Sequence, residues 1–276
     1  MSIEVLEKKF FKIFPSKLLI THTHTHILAG RRRVKSFGLM YLNMPLKKVD
    51  FIEEWYKIFL KNTDEKDILT NKIKDLLVGK DFSSGLEIGL GISPYFAKSL
   101  SGLFKKYTII EKRLVEAKMP KGVDLINTDW EDVKLDQKFD IIIASHVIYY
   151  FNDKQAAIAK MFEHLNERGI IFFVVNGKTA DYGSLKLAFA NIIKDEYKFT
   201  YDELLEIIKG KEFIEYTVPS TINFKNYNDL FETLKISFDM YPEEYKAHRD
   251  EIINYLSQNI KGKKFIIDQK ILKVQK

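Results

Sequence analysis

Apolar and polar positions alternate with two different periods along this chain, and the period changes near residue 80. In the windows 49–61 and 64–78, apolar residues recur at the three-and-four spacing of an amphipathic helix. Beyond them, short apolar runs of strand length are separated by further helical stripes and by turn residues. This order over 84–218 predicts an α/β fold in which helices cover both faces of a mainly parallel sheet.

The individual elements follow from the same pattern. The predicted strands cover 84–89, 107–110, 123–127, 139–144, 169–175, 213–218 and 263–274. Predicted helices begin at Ser93 and at Thr200, and others cover 112–118 as a single turn, 154–165, 181–194, 226–238 and 243–256. Together they divide the chain into an N-terminal extension over 1–45, a helical cap over 46–80 and a main domain over 81–276.

The composition of 46% apolar and 30% charged residues is typical of a globular chain. The absence of cysteine excludes Cys-ligated zinc, iron–sulfur clusters and thiol catalysis. No apolar run approaches the roughly 20 residues that a membrane span needs, and Glu4 and Glu7 stand where a secretory signal would be basic. We therefore expect a cytoplasmic protein without a membrane segment.

The net charge of +6 is confined to the N-terminal extension. Of the 44 basic and 38 acidic residues, eight basic and two acidic residues lie in 1–45, which leaves 36 of each kind in the rest of the chain. The neutral main body gives no support for a nucleic-acid groove. The extension also contains His22, His24 and His26, which could share one strand face, but no carboxylate lies near them in the sequence and we expect no metal site.

The most specific chemical signal is the segment Leu86–Ser93, with the sequence LEIGLGIS, which closes the first predicted strand and opens a helix. Gly89 and Gly91 let the backbone turn sharply and let a ligand approach without meeting a Cβ. A dinucleotide site would need a third glycine where Pro94 stands, so an NAD-dependent oxidoreductase is disfavoured. A nucleoside ligand that lacks a pyrophosphate, such as S-adenosylmethionine, fits this segment better.

Later segments meet the needs of S-adenosylmethionine in order. Glu87 can organise the loop and meet the ammonium of the ligand's amino-acid tail. Glu111 ends the second strand at the distance where a ribose-binding acid is expected. Asp129 and Trp130 follow the third strand, and they offer a carboxylate for the adenine amino group and a ring or backbone N–H beside its face.

The fourth predicted strand ends in the polar and aromatic segment Ser145–Tyr150, at the end of the sheet where open α/β proteins bind ligands. There we expect Ser145 to contact the cofactor. Singly, these residues have ordinary structural explanations, with Glu111 as a solvated strand end, Trp130 as a core ring and His146 as a hydrogen-bonded structural histidine. Their joint order indicates a site.

On these motifs, residues 84–175 resemble the class I S-adenosylmethionine-dependent methyltransferases. Leu86–Gly91 matches the glycine motif of that family, Glu111 its ribose acid, and His164–Gly169 the turn before its fifth strand. The resemblance implies a Rossmann-like seven-stranded sheet with helices on both faces and an antiparallel last strand, with 213–218 and 263–274 as candidates for strands six and seven. It also implies S-adenosyl-L-methionine as the cofactor.

A narrower resemblance, over about residues 48–276, is to the histamine N-methyltransferases, in which a helical N-terminal region and the last strand help to enclose a small amine. It is carried by Ser145–Phe151, Val174–Gly177 and Gly262–Val274. This resemblance implies acceptor-side roles for Glu65, His146 and Asp268, a cofactor contact for Glu116, and a substrate wall formed by Tyr149, Tyr150 and Tyr182.

The predicted reaction is an in-line displacement at the sulfonium methyl group, for which the protein positions and desolvates the acceptor. An amine must be neutral to attack, so Glu65, Asp268 or His146 would accept its proton. The competing hypotheses are an RNA methyltransferase that uses Arg31–Arg33 as a phosphate-binding arm, and a binding module that keeps the fold without turnover. The neutral main body favours a small-molecule acceptor over nucleic acid.

Overall fold

Residues 51–114 and 116–276 are described by a computed structural model. The predictions made for the extension over 1–45, including its histidines and Arg31–Arg33, lie outside the described residues. The compact unit to which the described residues belong spans Leu46–Lys276. Within the described part of the chain, no helix has the length and apolar character required to cross a bilayer.

A seven-stranded mixed sheet forms the centre of this unit, in the order β3-β2-β1-β4-β5-β7-β6. Strands β1 to β5 run parallel to one another, and β7 runs antiparallel to both β5 and β6. The predicted fold class and the antiparallel last strand are therefore confirmed. The strands are β1 Phe82–Ile88, β2 Phe104–Ile110, β3 Val123–Ile126, β4 Phe139–Ser145, β5 Leu165–Asn176, β6 Phe213–Asn223 and β7 Lys264–Gln275.

Helices lie before the sheet in sequence and between its strands. They are α1 Glu53–Asn62, α2 Glu65–Leu77, α3 Tyr95–Leu100, α4 Lys154–Glu163, α5 Ala180–Ile193, α6 Thr200–Ile207, α7 Tyr227–Leu234, α8 Pro242–Ala247 and α9 Arg249–Asn259. Short 3-10 turns cover Ser101–Leu103, Ile148–Tyr150 and Lys235–Phe238. The stretches predicted as the single helices 226–238 and 243–256 are thus each divided into two.

The predicted helical turn over 112–118 is wrong, because the described residues of that segment are not helical. Side chains take the place of helical hydrogen bonds there. The amide of Asn127 donates to the carbonyls of Glu111 and Arg113, both at 2.6 Å, and the Arg113 N–H donates to the Glu111 carboxylate at 3.0 Å. The segment therefore forms a loop tied to the ends of β2 and β3.

Both faces of the sheet are buried, which explains the continuous apolar runs of the central strands. On β4, Ile141 and Ile143 pack in a cluster with residues of α2 and α3, while Ile142 and Ala144 pack in a second cluster with residues of α4 and α6. A third, largely aromatic cluster joins α5, α7 and α9, and it includes Phe59 of α1.

The pairing register of the parallel strands brings the segments that carry the predicted site residues together. Ile88 pairs with Ile110 on one side and with Ala144 on the other, so β1, β2 and β4 end side by side. Ser145 in turn pairs with Val174 of β5. Because parallel strands share one carboxyl end, the segments that follow β1, β2, β4 and β5 converge there although they are far apart in sequence.

Candidate active site

A cavity lies at the carboxyl end of the sheet, bordered by α1, α2 and the segments that follow the strands. It is lined by twelve of the predicted site residues: Glu65, Glu87, Gly89, Gly91, Glu111, Asp129, Trp130, Ser145, His146, Tyr149, Tyr150 and Tyr182. We call the part around Gly89, Gly91 and Glu111 the glycine end. We call the part around Tyr149, Tyr150 and Tyr182 the tyrosine end.

The two glycines adopt a backbone conformation that side chains disfavour, with φ of 80° at Gly89 and 71° at Gly91. A Cβ at Gly89 would lie 2.8 Å from Cγ2 of Val147, and one at Gly91 would lie 3.1 Å from Cε1 of Tyr56. The turn after β1 is therefore closed tightly against β4 and α1. Only glycine meets both requirements without displacing its neighbours.

Glu111 is directed at this loop and is 5% exposed. One carboxylate oxygen accepts from the N–H groups of Leu90 at 2.9 Å and Gly91 at 3.2 Å. The other accepts from the N–H and the Nε of Arg113, both at 3.0 Å. Arg113 also donates to the Gly91 carbonyl at 2.7 Å, so one acid and one guanidinium hold the glycine turn in place.

Glu87 is buried beneath the same loop, where the Tyr107 hydroxyl donates to it at 3.1 Å. Burial raises the pKa of Glu87 to about 7, although the hydrogen bond from Tyr107 and the charge of Lys66 oppose that rise. A carboxyl group with this pKa is close to half protonated at neutral pH. An ammonium placed near it would favour the ionised form.

Asp129 and Trp130 follow β3 at the glycine end. The indole of Trp130 is 2% exposed, and its N–H donates to the Ala157 carbonyl at 3.0 Å. The ring is therefore fixed in the core between the sheet and α4, as the structural explanation expected. The Asp129 carboxylate accepts from the Glu131 N–H at 3.1 Å, and its predicted contact with adenine stays a prediction.

His146 is the first residue after β4 and has a φ of 53°, which is uncommon for any residue other than glycine. Such strained positions concentrate at functional sites. Its Nε2 is buried, makes no hydrogen bond of normal geometry with the described residues and lies 3.6 Å from Oε1 of Glu65, and the side chain of Gln269 also acts on the imidazole and favours its protonated form. Burial lowers the pKa of His146 to about 4, although the Glu65 charge opposes this shift, so the imidazole is neutral at pH 7.

Glu65 begins α2 and is only 3% exposed. Its Oε2 accepts from the Gln269 amide at 3.1 Å, and its Oε1 lies 3.4 Å from the ammonium of Lys66. The sequence placed Glu65 in the site through resemblance alone. The structure brings it beside His146, with Gln269 of β7 as a partner that the sequence analysis missed.

Hydrogen bonds fix the rings of the tyrosine end. The Tyr149 hydroxyl accepts from the Asn176 N–H at 2.7 Å, and the ring of Tyr149 is parallel to the imidazole of His146 at a centroid distance of 6.0 Å. The Tyr150 hydroxyl donates to the carboxylate of Asp239 at 2.9 Å. Tyr182, at the start of α5, is 4% exposed.

Asp268 and Glu116 are not among the residues that line the cavity. The carboxylate of Asp268 on β7 instead accepts a hydrogen bond from the hydroxyl of Thr179. Glu116 is exposed in the loop after β2. Their predicted roles stay predictions, and the geometry favours Glu65 and His146 as the groups beside an acceptor.

The cavity also contains residues that the sequence analysis missed: Phe51, Tyr56, Phe59, Lys66, Arg113, Asn176, Lys186, Tyr197 and Asp239. Most are single aromatic or charged residues in helices or loops, and the sequence around each of them shows no motif. Lys186 does carry a signal, because it lies four residues after Tyr182 and three before Phe189, on the buried face of α5. A lysine on an apolar stripe is a candidate functional residue.

The donor set fits S-adenosylmethionine. A glycine turn that excludes a Cβ lies next to an acid at the end of β2, and the buried Oγ of Ser145 and Oδ1 of Asn176 line the same cavity without a partner among the described residues. A sheet of this order with a site at this position defines the class I methyltransferase fold.

Comparison with known proteins gives the same class. Residues 61–217 match the family described as "Methyltransferase domain". The chain belongs to the class I S-adenosylmethionine-dependent methyltransferases, and it is an enzyme of that class. The match does not extend to the histamine N-methyltransferases, for which the comparisons give no support.

Individual relatives are distant. A malonyl-[acyl-carrier protein] O-methyltransferase of Bacillus cytotoxicus is 31% identical over 100 residues, which are 33% of this chain and 35% of that protein, so the match spans about a third of this curated relative. A candidate methyltransferase of Bacillus halodurans C-125 is similar in structure, with 13% identity, a TM-score of 0.53 and coverage of 75% of this chain and 97% of that one. The YcgJ protein of Bacillus subtilis has 14% identity, a TM-score of 0.50 and the same coverage.

Proposed function

We propose that this enzyme methylates the nitrogen of a small amine. The observation that carries the proposal is the pair of His146 and Glu65, a neutral imidazole and a buried carboxylate 3.6 Å apart, at the junction of the glycine end and the tyrosine end. A concave cavity with mostly apolar and aromatic walls is typical of a small-molecule site, and aromatic walls attract a cationic amine.

The glycine end would hold the cofactor. Glu111 would accept from the ribose hydroxyls in exchange for part of its hydrogen bonding to Arg113, and Glu87 would face the ammonium of the amino-acid tail. When bound, S-adenosylmethionine supplies an electrophilic methyl group and its own leaving group. The protein is left to position the acceptor, exclude water and remove a proton.

Proton removal fits the geometry at His146. If Nδ1 carries the ring proton, Nε2 can accept a hydrogen bond from the N–H of the amine substrate. The nearby Glu65 carboxylate would stabilise the imidazolium that forms. Burial keeps the imidazole neutral before the amine arrives and makes it a weak base, so the charge of Glu65 is needed to stabilise the imidazolium.

A methyl-transfer assay tests the proposal. Purified protein and labelled S-adenosylmethionine would be offered small primary and secondary amines, phenols, thiols and carboxylic acids, with RNA as a further substrate. We expect label in at least one amine, and none in RNA. Transfer confined to carboxylic acids, the chemistry named for the Bacillus cytotoxicus relative, would overturn the assignment to nitrogen, and transfer to RNA would favour the alternative with a basic arm.

A further inference from the structure

The tyrosine end contains a buried lysine to which neither the family nor the predicted reaction assigns a role. Lys186 of α5 is 2% exposed. Its ammonium lies 3.8 Å from the ring centroid of Phe238, 4.9 Å from that of Tyr197 and 5.3 Å from that of Tyr182. It is thus surrounded by aromatic faces at the wall of the cavity.

The hydrogen bonding of this ammonium is incomplete. A lysine has three N–H donors, and among the described residues the only hydrogen-bond acceptor of Lys186 is the carbonyl of Ser237. No carboxylate of the described residues lies within 4.0 Å of it. A buried charge with open donors is costly unless a further group completes its shell.

The charge of Asp239 acts on Lys186, but the Asp239 carboxylate makes its hydrogen bond to another residue. It accepts from the Tyr150 hydroxyl at 2.9 Å. Burial lowers the pKa of Lys186 and raises the pKa of Asp239. An anion beside the lysine would raise the pKa of Lys186 towards its ordinary value, whereas it would raise the pKa of Asp239 further.

We propose that Lys186 binds a carboxylate of the methyl acceptor, so that the acceptor is a small molecule with both an amine and a carboxylate. Two free N–H donors suit the two oxygens of a carboxylate. The aromatic rings around them would cover the apolar part of the molecule. This inference rests on the proposed function, because it assumes that the acceptor occupies the tyrosine end.

The position of the lysine is consistent with a molecule that spans the cavity. Tyr149 is parallel to His146, and Tyr182 lies beside Lys186. The side chains of Tyr149 and Tyr182 border the same cavity. An acceptor with an amine next to His146 and a carboxylate next to Lys186 would pack against these two rings.

Binding, measured separately from turnover, tests the inference. The protein loaded with S-adenosylhomocysteine would be titrated in a calorimeter with 3-phenylpropanoate, its alcohol 3-phenylpropanol, phenethylamine and phenylalanine. We expect the carboxylate to bind at least tenfold more tightly than the alcohol. In Lys186→Met that preference should fall to less than threefold, while phenethylamine binding and the affinity for S-adenosylhomocysteine stay unchanged.

Two further variants separate charge from packing. Lys186→Arg keeps the charge and should retain most of the carboxylate preference. Lys211→Met removes an exposed lysine that lies over a different ring, that of Phe162, and should behave as the wild type. If Lys186→Met fails to fold, equal binding of the carboxylate and the alcohol by the wild type still overturns the inference, as does a preference that is lost in Lys186→Arg.

The outcomes distinguish this inference from the proposed function. Equal binding of the carboxylate and the alcohol, or a preference that survives in Lys186→Met, overturns the role of Lys186 whether or not amines are methylated. If Lys186 binds the carboxylate but no amine accepts a methyl group, the assignment to nitrogen fails while the carboxylate site remains.

Discussion

Nε2 of His146 lies 3.6 Å from Oε1 of Glu65, although one residue follows β4 and the other begins α2. The separation is too long for a direct hydrogen bond and short enough for strong electrostatic coupling inside a protein. Glu65 is buried, and His146 is half-buried with its Nε2 atom shielded from solvent. The carboxylate therefore favours protonation of the imidazole, while burial disfavours it and prevails.

Glu65→Gln is expected to reduce kcat/KM for the amine acceptor by roughly 100-fold, the lower range for loss of general-base assistance. The amide keeps the size and part of the hydrogen bonding of the side chain, but it cannot stabilise an imidazolium. Steady-state kinetics would measure the effect, and the affinity for S-adenosylhomocysteine should hardly change. Glu167→Gln, at an exposed position of β5, serves as the matched control. An unchanged kcat/KM in Glu65→Gln would remove Glu65 from the mechanism.

Stability should depend on pH through His146. Between pH 6.5 and 4 the unfolded chain binds a proton at this residue and the folded chain does not, so the free energy of unfolding falls as the pH falls. With a folded pKa of about 4, the loss at pH 5 relative to pH 8 is about 2 kcal/mol. Denaturant titrations of the wild type and of His146→Gln at both values would measure it.

The difference between the two proteins isolates this effect. The raised pKa of Glu87 acts in the opposite direction, because the folded chain binds the extra proton between pH 4.5 and 7. That contribution is common to both proteins and cancels in the difference. We expect His146→Gln to gain about 2 kcal/mol relative to the wild type on going from pH 8 to pH 5. A difference that does not change with pH would show that His146 is not held neutral by burial.

Local pattern was sufficient to predict the sheet and the glycine end. The apolar runs of β1, β2 and β4 are buried on both faces, so their sequences are unambiguous, and Gly89 and Gly91 reveal a turn that no side chain permits. Glu111 could be placed because the end of a parallel strand fixes which residue reaches the ligand. These features depend on a few neighbouring residues.

The tyrosine end could not be predicted in the same way. Asp239 follows a 3-10 turn and Phe51 precedes α1, and their positions depend on how distant helices pack together. The prediction of a helical turn after β2 was wrong because the side-chain amide of Asn127, more than ten residues further along the chain, donates to the carbonyls of Glu111 and Arg113. Resemblance assigned Asp268 a role beside the acceptor, which stays a prediction, and no signal in the sequence shows the hydrogen bond that its carboxylate accepts from Thr179.

Glu111→Gln should weaken binding of S-adenosylhomocysteine by roughly tenfold to 100-fold. In the proposed complex the carboxylate accepts from the ribose hydroxyls, and charge-assisted bonds of this kind are each worth about 1.5–3 kcal/mol. The amide would have to turn its NH₂ group towards one set of donors. Calorimetry would measure the affinity, with Glu167→Gln again as the control. Equal affinities in the two variants would mean that Glu111 only braces the loop.

Gly89→Ala should destabilise the fold and weaken cofactor binding together. The residue has a φ of 80°, and the new Cβ would lie 2.8 Å from the Val147 side chain, so we expect a loss of about 2 kcal/mol. Gly102→Ala is the matched control, since a Cβ there would meet nothing within 4 Å and its φ is not positive. That variant should change the free energy of unfolding by less than about 0.5 kcal/mol. Thermal melts with and without S-adenosylhomocysteine would compare the two, and a Gly89→Ala protein as stable and as tightly binding as the Gly102→Ala protein would contradict the proposed role of the glycine turn.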